Sequence, residues 1–406
     1  MRTIVIVLVF PVVLFLLTNI SHADNAEVLP KGISRVSLDT NFYLSIDEQY
    51  DDDGDVESAA EDFNGTLDRT IFPDLSLIEA AFGMPPGSAN IGDSVIDFEY
   101  DVTIVQLSYQ YGVTDKLSAG IMIPYLYVKN NVDARLDTSN ATVGANPSLG
   151  QPGDPFGGSP IVPIALGGVP LTTDQVQNLL VEQYGFDWIE TWSDSGIGDI
   201  EAGLRYQYFK NKNWRLAFTG GVRFPTGEVD DPDHLADRGF GDGAWALLFR
   251  FNNDYTGIEN LVLNATFRYD LYLPEKEELR VPDNVDEPIT GNKERVDRNL
   301  GDEMQFEVSG TYQFIEAWSL SLLYKYAFSF KDRVSGDQDF IYESLEDETD
   351  WKEHVGIVSL SYSTIPLFQA KKFPVPLLCS LSYRNRFAGE NALKSQYISL
   401  GLTAYF

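Results

Sequence analysis

Tyr397-Ile398-Ser399-Leu400-Gly401-Leu402-Thr403-Ala404-Tyr405-Phe406 closes the chain, and its alternation decides the fold. Ile398, Leu400, Leu402, Ala404 and Phe406 form one apolar face; Tyr397, Ser399, Gly401, Thr403 and Tyr405 form the other. Period two is the mark of a β-strand whose two sides meet different surroundings. The same period recurs upstream. Trp318, Leu320, Leu322, Tyr324, Tyr326, Phe328 and Phe330 alternate with Ser319, Ser321, Lys325 and Lys331. Ile200, Ala202, Leu204, Tyr206 and Tyr208 alternate with Asp199, Glu201, Gly203, Arg205 and Gln207. Near the start, Val36, Leu38, Phe42, Leu44 and Ile46 oppose Arg35, Ser37, Asp39, Asn41 and Tyr43.

A soluble sandwich also alternates, but these strands run to about 10–14 residues, long enough to cross a bilayer at a tilt. Aromatic residues gather near their ends, as an interfacial girdle requires. Twelve strands are expected, near 34–47, 94–111, 117–130, 196–209, 214–225, 243–252, 261–273, 303–314, 318–331, 352–363, 377–387 and 395–406. The links between them alternate in length. Those at 48–93, 131–195, 226–242, 274–302, 332–351 and 388–394 are mostly long; those at 112–116, 210–213, 253–260, 315–317 and 364–376 are shorter. Short periplasmic turns and long outer loops characterise outer-membrane barrels. The expected fold is therefore all-β: a transmembrane, antiparallel, up-and-down barrel of about twelve strands with both termini periplasmic. Within it, Ser399, Gly401, Ala404 and Phe406 have the form of the signal read by barrel-assembly machinery. The last strand should pair with the first and close the wall.

Residues 1–23 read as a cleaved signal peptide that addresses the chain to the outer membrane of a Gram-negative bacterium. Arg2 supplies the charge, Ile4–Leu17 the apolar run, and Ser21-His22-Ala23 the small residues before the cut. The run is too short for a spanning helix of roughly 20 residues. Residues 24–406 then form one barrel domain. Cys379 is the only thiol, so no internal disulfide can form. The net charge of −32 excludes nucleic acid as a partner. Lipid and lipopolysaccharide are the expected surroundings.

If the apolar faces meet lipid, the opposite faces line the lumen. That places Arg35, Asp39, Glu99, Asp199, Glu201, Arg205, Arg215, Arg223, Arg250, Arg268, Asp270, Glu307, Lys325, Arg384 and Arg386 inside. Unpaired charge is costly to bury, so these groups pair or meet water. They form either a rigidifying network or a selective electrostatic lining.

The 131–195 link carries an expected helix at Thr172–Tyr184, with Val176, Leu179, Leu180 and Tyr184 on one face. Leu75–Phe82 is a second apolar, helical stretch. External apolar segments need cover. These two are the expected lid, constriction or point of substrate access. Acids crowd the outer links, among them Asp286 and Glu287. Asp51, Asp53 and Asp55 around Gly54 make only a weak calcium pattern, because the closing Glu61 is one place late. A solvated acidic surface bridged by divalent cations is the simpler reading. No cofactor is expected. His234 and His354 lack a neighbouring nucleophile, and Cys379 suits packing, so no enzyme is expected.

Three motifs resemble the MetA-pathway phenol-degradation family of outer-membrane proteins. Gly112-Val113-Thr114-Asp115-Lys116-Leu117-Ser118-Ala119-Gly120 with Ile123-Pro124-Tyr125 is similar to its first periplasmic hairpin. Ser195-Gly196-Ile197-Gly198-Asp199-Ile200 and Phe224-Pro225-Thr226-Gly227 resemble a later strand's start and another's end. The resemblance implies a transporter-like barrel for passive uptake of small molecules, possible substrates being hydrophobic or aromatic. The alternatives are a general diffusion porin, or a structural or surface-binding barrel closed by its own charges. Only about ten residues precede the first strand, which suggests no room for an N-terminal plug.

Overall fold

The computed structural model describes residues 24–284 and 289–406. The leader at 1–23 lies outside the described residues, as do Asp286 and Glu287. Twelve strands close into one antiparallel ring: β1 Ser34–Tyr43, β2 Asp93–Thr114, β3 Leu117–Asp137, β4 Ile200–Lys210, β5 Trp214–Phe224 and β6 Ala246–Ile258, followed by β7 Leu261–Tyr272, β8 Glu303–Ile315, β9 Trp318–Ser329, β10 Lys352–Ser363, β11 Leu377–Glu390 and β12 Gln396–Tyr405. β12 pairs with β1 from Arg35↔Tyr405 to Tyr43↔Tyr397, so the terminal strand closes the wall as its alternation requires. Closure leaves no free edge and satisfies the backbone groups that lipid cannot.

The outward faces are apolar. Leu38, Leu204, Phe306, Leu322, Leu381 and Leu400 are all exposed there. Trp214 packs on Tyr255, and Trp318 on Tyr362, at the turn end of the wall. Phe224 packs on Trp245 at the loop end. These pairs supply the expected girdles.

Several boundaries move. β6 continues past Asn252, where the sequence ended the strand, through Asp254 and turns only at Glu259-Asn260. Its polar residues suit a strand because Asn252 and Asp254 face inward, hydrogen-bonded to Thr266 and Asn264. The wall of β4 is longer than β4 itself. Trp192–Ile197 continues its pairing along β3, and the ladder breaks at Gly198-Asp199. A Cβ at Gly198 would meet the Leu126 side chain and the Phe240 carbonyl at 2.8 Å, so this approach needs glycine. The long loop is accordingly 138–191 rather than 131–195.

Both helices form where periodicity put them. α1 spans Leu75–Phe82, and α2 spans Thr173–Tyr184. Thr172 caps α2 in a reciprocal box with Gln175. A third, α3 at Ile365–Gln369, sits in the last periplasmic turn. Among the described residues no helix is long and apolar enough to cross a membrane.

β2 and β3 have 22 and 21 residues, about twice what a tilted crossing needs. Their upper halves therefore stand outside the bilayer, and there the faces exchange polarity. Leu107, Tyr109 and Tyr111 point outward, but so do Asp97, Glu99 and Asp101 further along the same face. The inner face changes oppositely, from Gln110, Ser108 and Gln106 to Ile104, Val102, Tyr100 and Phe98. Glu99 thus corrects the lumen assignment: it lies outside, where it accepts a hydrogen bond from Ser45. Ile46 is the converse, buried inside rather than facing lipid.

Candidate functional site

The inside of the barrel has three tiers. The lowest is an unforeseen strap. Residues 24–33 run into the lumen instead of hanging below it, which overturns the expectation that no plug would fit. The Ala26 amide donates to the Asp254 carboxylate, and its carbonyl accepts from Gln207 at 2.6 Å. Arg205 holds Asp24 at 2.5 Å. Arg215 pairs with Glu27, and the Leu29 amide donates to Ser118. Each contact satisfies a backbone or charged group that burial would otherwise penalise.

Above the strap lie two ion networks. In one, Arg223 reaches Glu201 at 3.1 Å, Asp242 at 3.1 Å and Asp270 at 3.0 Å, and donates to Tyr272 at 2.6 Å. Arg268 and Arg250 share Glu201 with it. Asp199, held in the break of the fourth strand, accepts from the amides of Thr226, Gly227 and Asp242. It thereby ties the 225–245 loop to the wall. In the second network, Glu353 takes Lys325 at 2.6 Å, Arg384 at 3.1 Å and Arg386 at 2.7 Å. Glu353, Lys325 and Arg384 are at most 2% exposed.

The remaining inner residues fall between the networks. Arg35 donates to Gln110 at 2.6 Å, Glu307 accepts from Gln305, and Asp39 lines the same space. Together with the Arg205, Arg250 and Arg268 side chains they border a cavity of about 170 Å³. Of the inward charges read from alternation, all but Glu99 are placed on the inner face. Asp24, Asp242, Glu303 and Glu353 were missed. Glu353 carried a usable signal, since it alternates with Lys352 and His354 in a recognised strand. Asp242 carried none, because a loop brings it in.

The top tier is apolar. Phe98, Tyr100, Ile104, Leu126 and Val128 pack inside the wall against Phe240, Ile189 and Tyr397. A second core joins Ile71, Phe72 and Leu75 of the first outer loop to Val176, Phe186 and Leu171 around α2. Between them a cavity of about 80 Å³ is lined by Phe63, Phe72, Val176, Leu180 and Ile289. The two sequence-marked helices contribute to this one core, and α2 lines the cavity. Arg280 fastens it: its guanidinium donates to the carbonyls of Tyr184, Gly185, Pro232 and Thr290 and pairs with Asp233.

The Asp51 carboxylate accepts from the amides of Asp53 and Asp55, so it shapes a turn. Among the described residues no cluster of His, Cys, Asp and Glu is arranged for a metal. His354 faces outward, 2.7 Å from the Tyr324 hydroxyl, and Cys379 is exposed on the outer wall.

The fold is similar to that of a solved outer membrane channel from Pseudomonas putida F1, with a TM-score of 0.54 at 14% identity over 95% of this chain and 99% of that one. The toluene transporter TbuX of Ralstonia pickettii aligns over 93% of this chain and 90% of its own, at 9% identity and a TM-score of 0.36, too loosely to carry an argument. No curated protein matches the sequence. The family described as "Putative MetA-pathway of phenol degradation" matches residues 84–345. With a closed twelve-strand wall, lipid-facing apolar sides and that match across most of its length, the chain is an outer-membrane β-barrel belonging to this family.

Proposed function

We propose that the barrel is a passive channel for small, largely apolar molecules, aromatic compounds among them, taken up from outside. One observation carries the reading: the outer half of the lumen is lined by hydrocarbon and aromatic rings, and that lining is continuous with the apolar cavity under α2. A general diffusion pore needs water there. An apolar cavity of about 150 Å³ suffices for benzene; the present one, at about 80 Å³, would have to open to nearly twice its volume to take such a ring. The phenol-degradation family name agrees with this substrate class. In this reading the chain works without catalysis.

Maturation follows the same logic. The leader is removed after Ala23, and the buried Asp24 supports this, because a leader joined to it would have to share the lumen. The C-terminal signal of Ser399, Gly401, Ala404 and Phe406 recruits the barrel-assembly machinery, and the acidic loops face lipopolysaccharide through divalent cations. Mass spectrometry of the purified protein should find Asp24 first.

A specific observation also favours a closed structural barrel: the strap and the two ion networks fill much of the lumen. Flux into proteoliposomes separates the readings. Toluene or phenol should enter faster than a sugar of similar size. Equal flux would indicate a porin, and no flux above empty liposomes would leave only the structural barrel.

A further inference from the structure

A purely apolar solute that leaves the upper tier meets fixed charge. The next space on its path is the polar cavity of about 170 Å³. This mismatch disappears if the solute is amphipathic, with a ring for the upper tier and a polar head for the lower.

The chemistry of the cavity selects the head. Three inward glycines stand side by side in register, Gly120 beside Gly203 and Gly203 beside Gly221. They leave one wall without side chains and so create the space. The same row continues through Gln110, paired with Gly120, to Arg35, paired with Gln110, with Ser37 and Ser108 paired one step along the strands. Five cationic side chains and four carboxylates border the cavity, an excess of one cation in a chain whose net charge is −32. Two of the four carboxylates hold arginines, and Glu307 accepts from Gln305. Glu201 holds Arg223, Arg250 and Arg268, and Asp24 holds Arg205. Arg35 instead donates to a neutral amide, that of Gln110, through one of its five N–H groups. A guanidinium placed this way matches a planar carboxylate with two parallel bonds.

We infer that this cavity seats the carboxylate of a small aromatic acid, with Arg35 as its anchoring cation and the glycine wall accommodating its bulk. The inference rests on the channel reading and names its substrate class more narrowly. The acidic loops outside do not prevent it, since their field is screened within about 8 Å at physiological salt.

The test uses the mature protein in detergent with radiolabelled benzoate and equilibrium dialysis. Benzoate should bind saturably, and benzyl alcohol and benzylamine should compete at least tenfold less well. Arg35→Gln should weaken benzoate at least tenfold, while Arg35→Lys should retain part of the affinity. Ser108→Phe provides an independent variant, because it fills the cavity and leaves every charge in place; it should abolish binding in a barrel that still migrates as folded on an unheated gel. Absence of benzoate binding to the native protein overturns the inference. So does unchanged binding in the Arg35→Gln and Ser108→Phe variants, or equal competition by benzylamine. If any of these results appears while toluene flux into proteoliposomes still exceeds that into empty liposomes, the carboxylate site is wrong and the channel stands. If benzoate binds as expected but no aromatic compound permeates, the site stands and the channel reading falls.

Discussion

Glu353→Gln is the substitution whose consequence the structure states most sharply. The Glu353 carboxylate lies within 2.6–3.1 Å of Lys325, Arg384 and Arg386, and no side chain in the group exceeds 6% exposure. Glutamine preserves volume and one acceptor but removes the only carboxylate within ion-pair reach of these three cations among the described residues. Removing one partner from a buried ion pair costs about 3–5 kcal/mol. Here three cations lose the same partner and repel one another across a few ångströms, so the upper end of that range is expected. Lys325→Met should cost less, because Glu353 keeps two arginines and one buried cation disappears. Denaturant titration in lipid vesicles, followed by tryptophan fluorescence and by the compact band on an unheated gel, measures both. A double variant should recover part of the loss, since coupled groups are not additive. If Glu353→Gln unfolds within about 1 kcal/mol of the native protein, the network is wet and the buried-charge reasoning fails.

Three further outcomes follow from named contacts. Deleting residues 24–29 removes the partners of Arg205, Arg215 and Gln207 and empties the lower lumen, so single-channel conductance should rise severalfold; unchanged conductance would place the constriction elsewhere. Arg280→Gln breaks the clasp on the end of α2, and protease cleavage between 172 and 190 should accelerate at least tenfold while the wall remains intact. Asp332, in the outer 330–351 loop, has its carboxyl pushed up to about 6 by burial, so its ionised form is disfavoured in the folded loop. Stability there should fall as pH rises from about 4 through 6, by at most roughly 3 kcal/mol. Hydrogen exchange corrected for intrinsic rates should show more protection at pH 5 than at 7.5, and Asp332→Asn should flatten the dependence.

The wall was legible because lipid imposes one rule on every strand. An outward residue is apolar, and its neighbour is not, so Ile398 to Phe406 suffices to show a spanning strand and the link lengths suffice to count twelve. That rule has a limit at the membrane surface. Phe98 and Glu99 alternate as well as Leu107 and Ser108 do, yet the side facing in is reversed. Alternation fixes that two faces differ; it does not say which solvent each one meets. Only strand length carried a hint, because 22 residues cannot all lie in a bilayer.

The strap was illegible for a related reason. Asp24-Asn25-Ala26-Glu27 is polar and aperiodic, which in water reads as a tail. It is buried because the lumen is polar too, and its partners arrive from distant strands: Arg205, Gln207, Asp254 and Thr266. Those same partners explain why Asn253 and Asp254 read as part of a turn. In a soluble domain a polar run marks the surface, whereas in this barrel it marks a groove already occupied by another segment of the chain. The inner polar residues are therefore read correctly only as a set. Arg223, Asp242 and Glu201 are each an improbable interior residue alone, and with Arg250, Arg268 and Asp270 they form a neutralised, hydrogen-bonded cluster that narrows the passage beside the polar cavity.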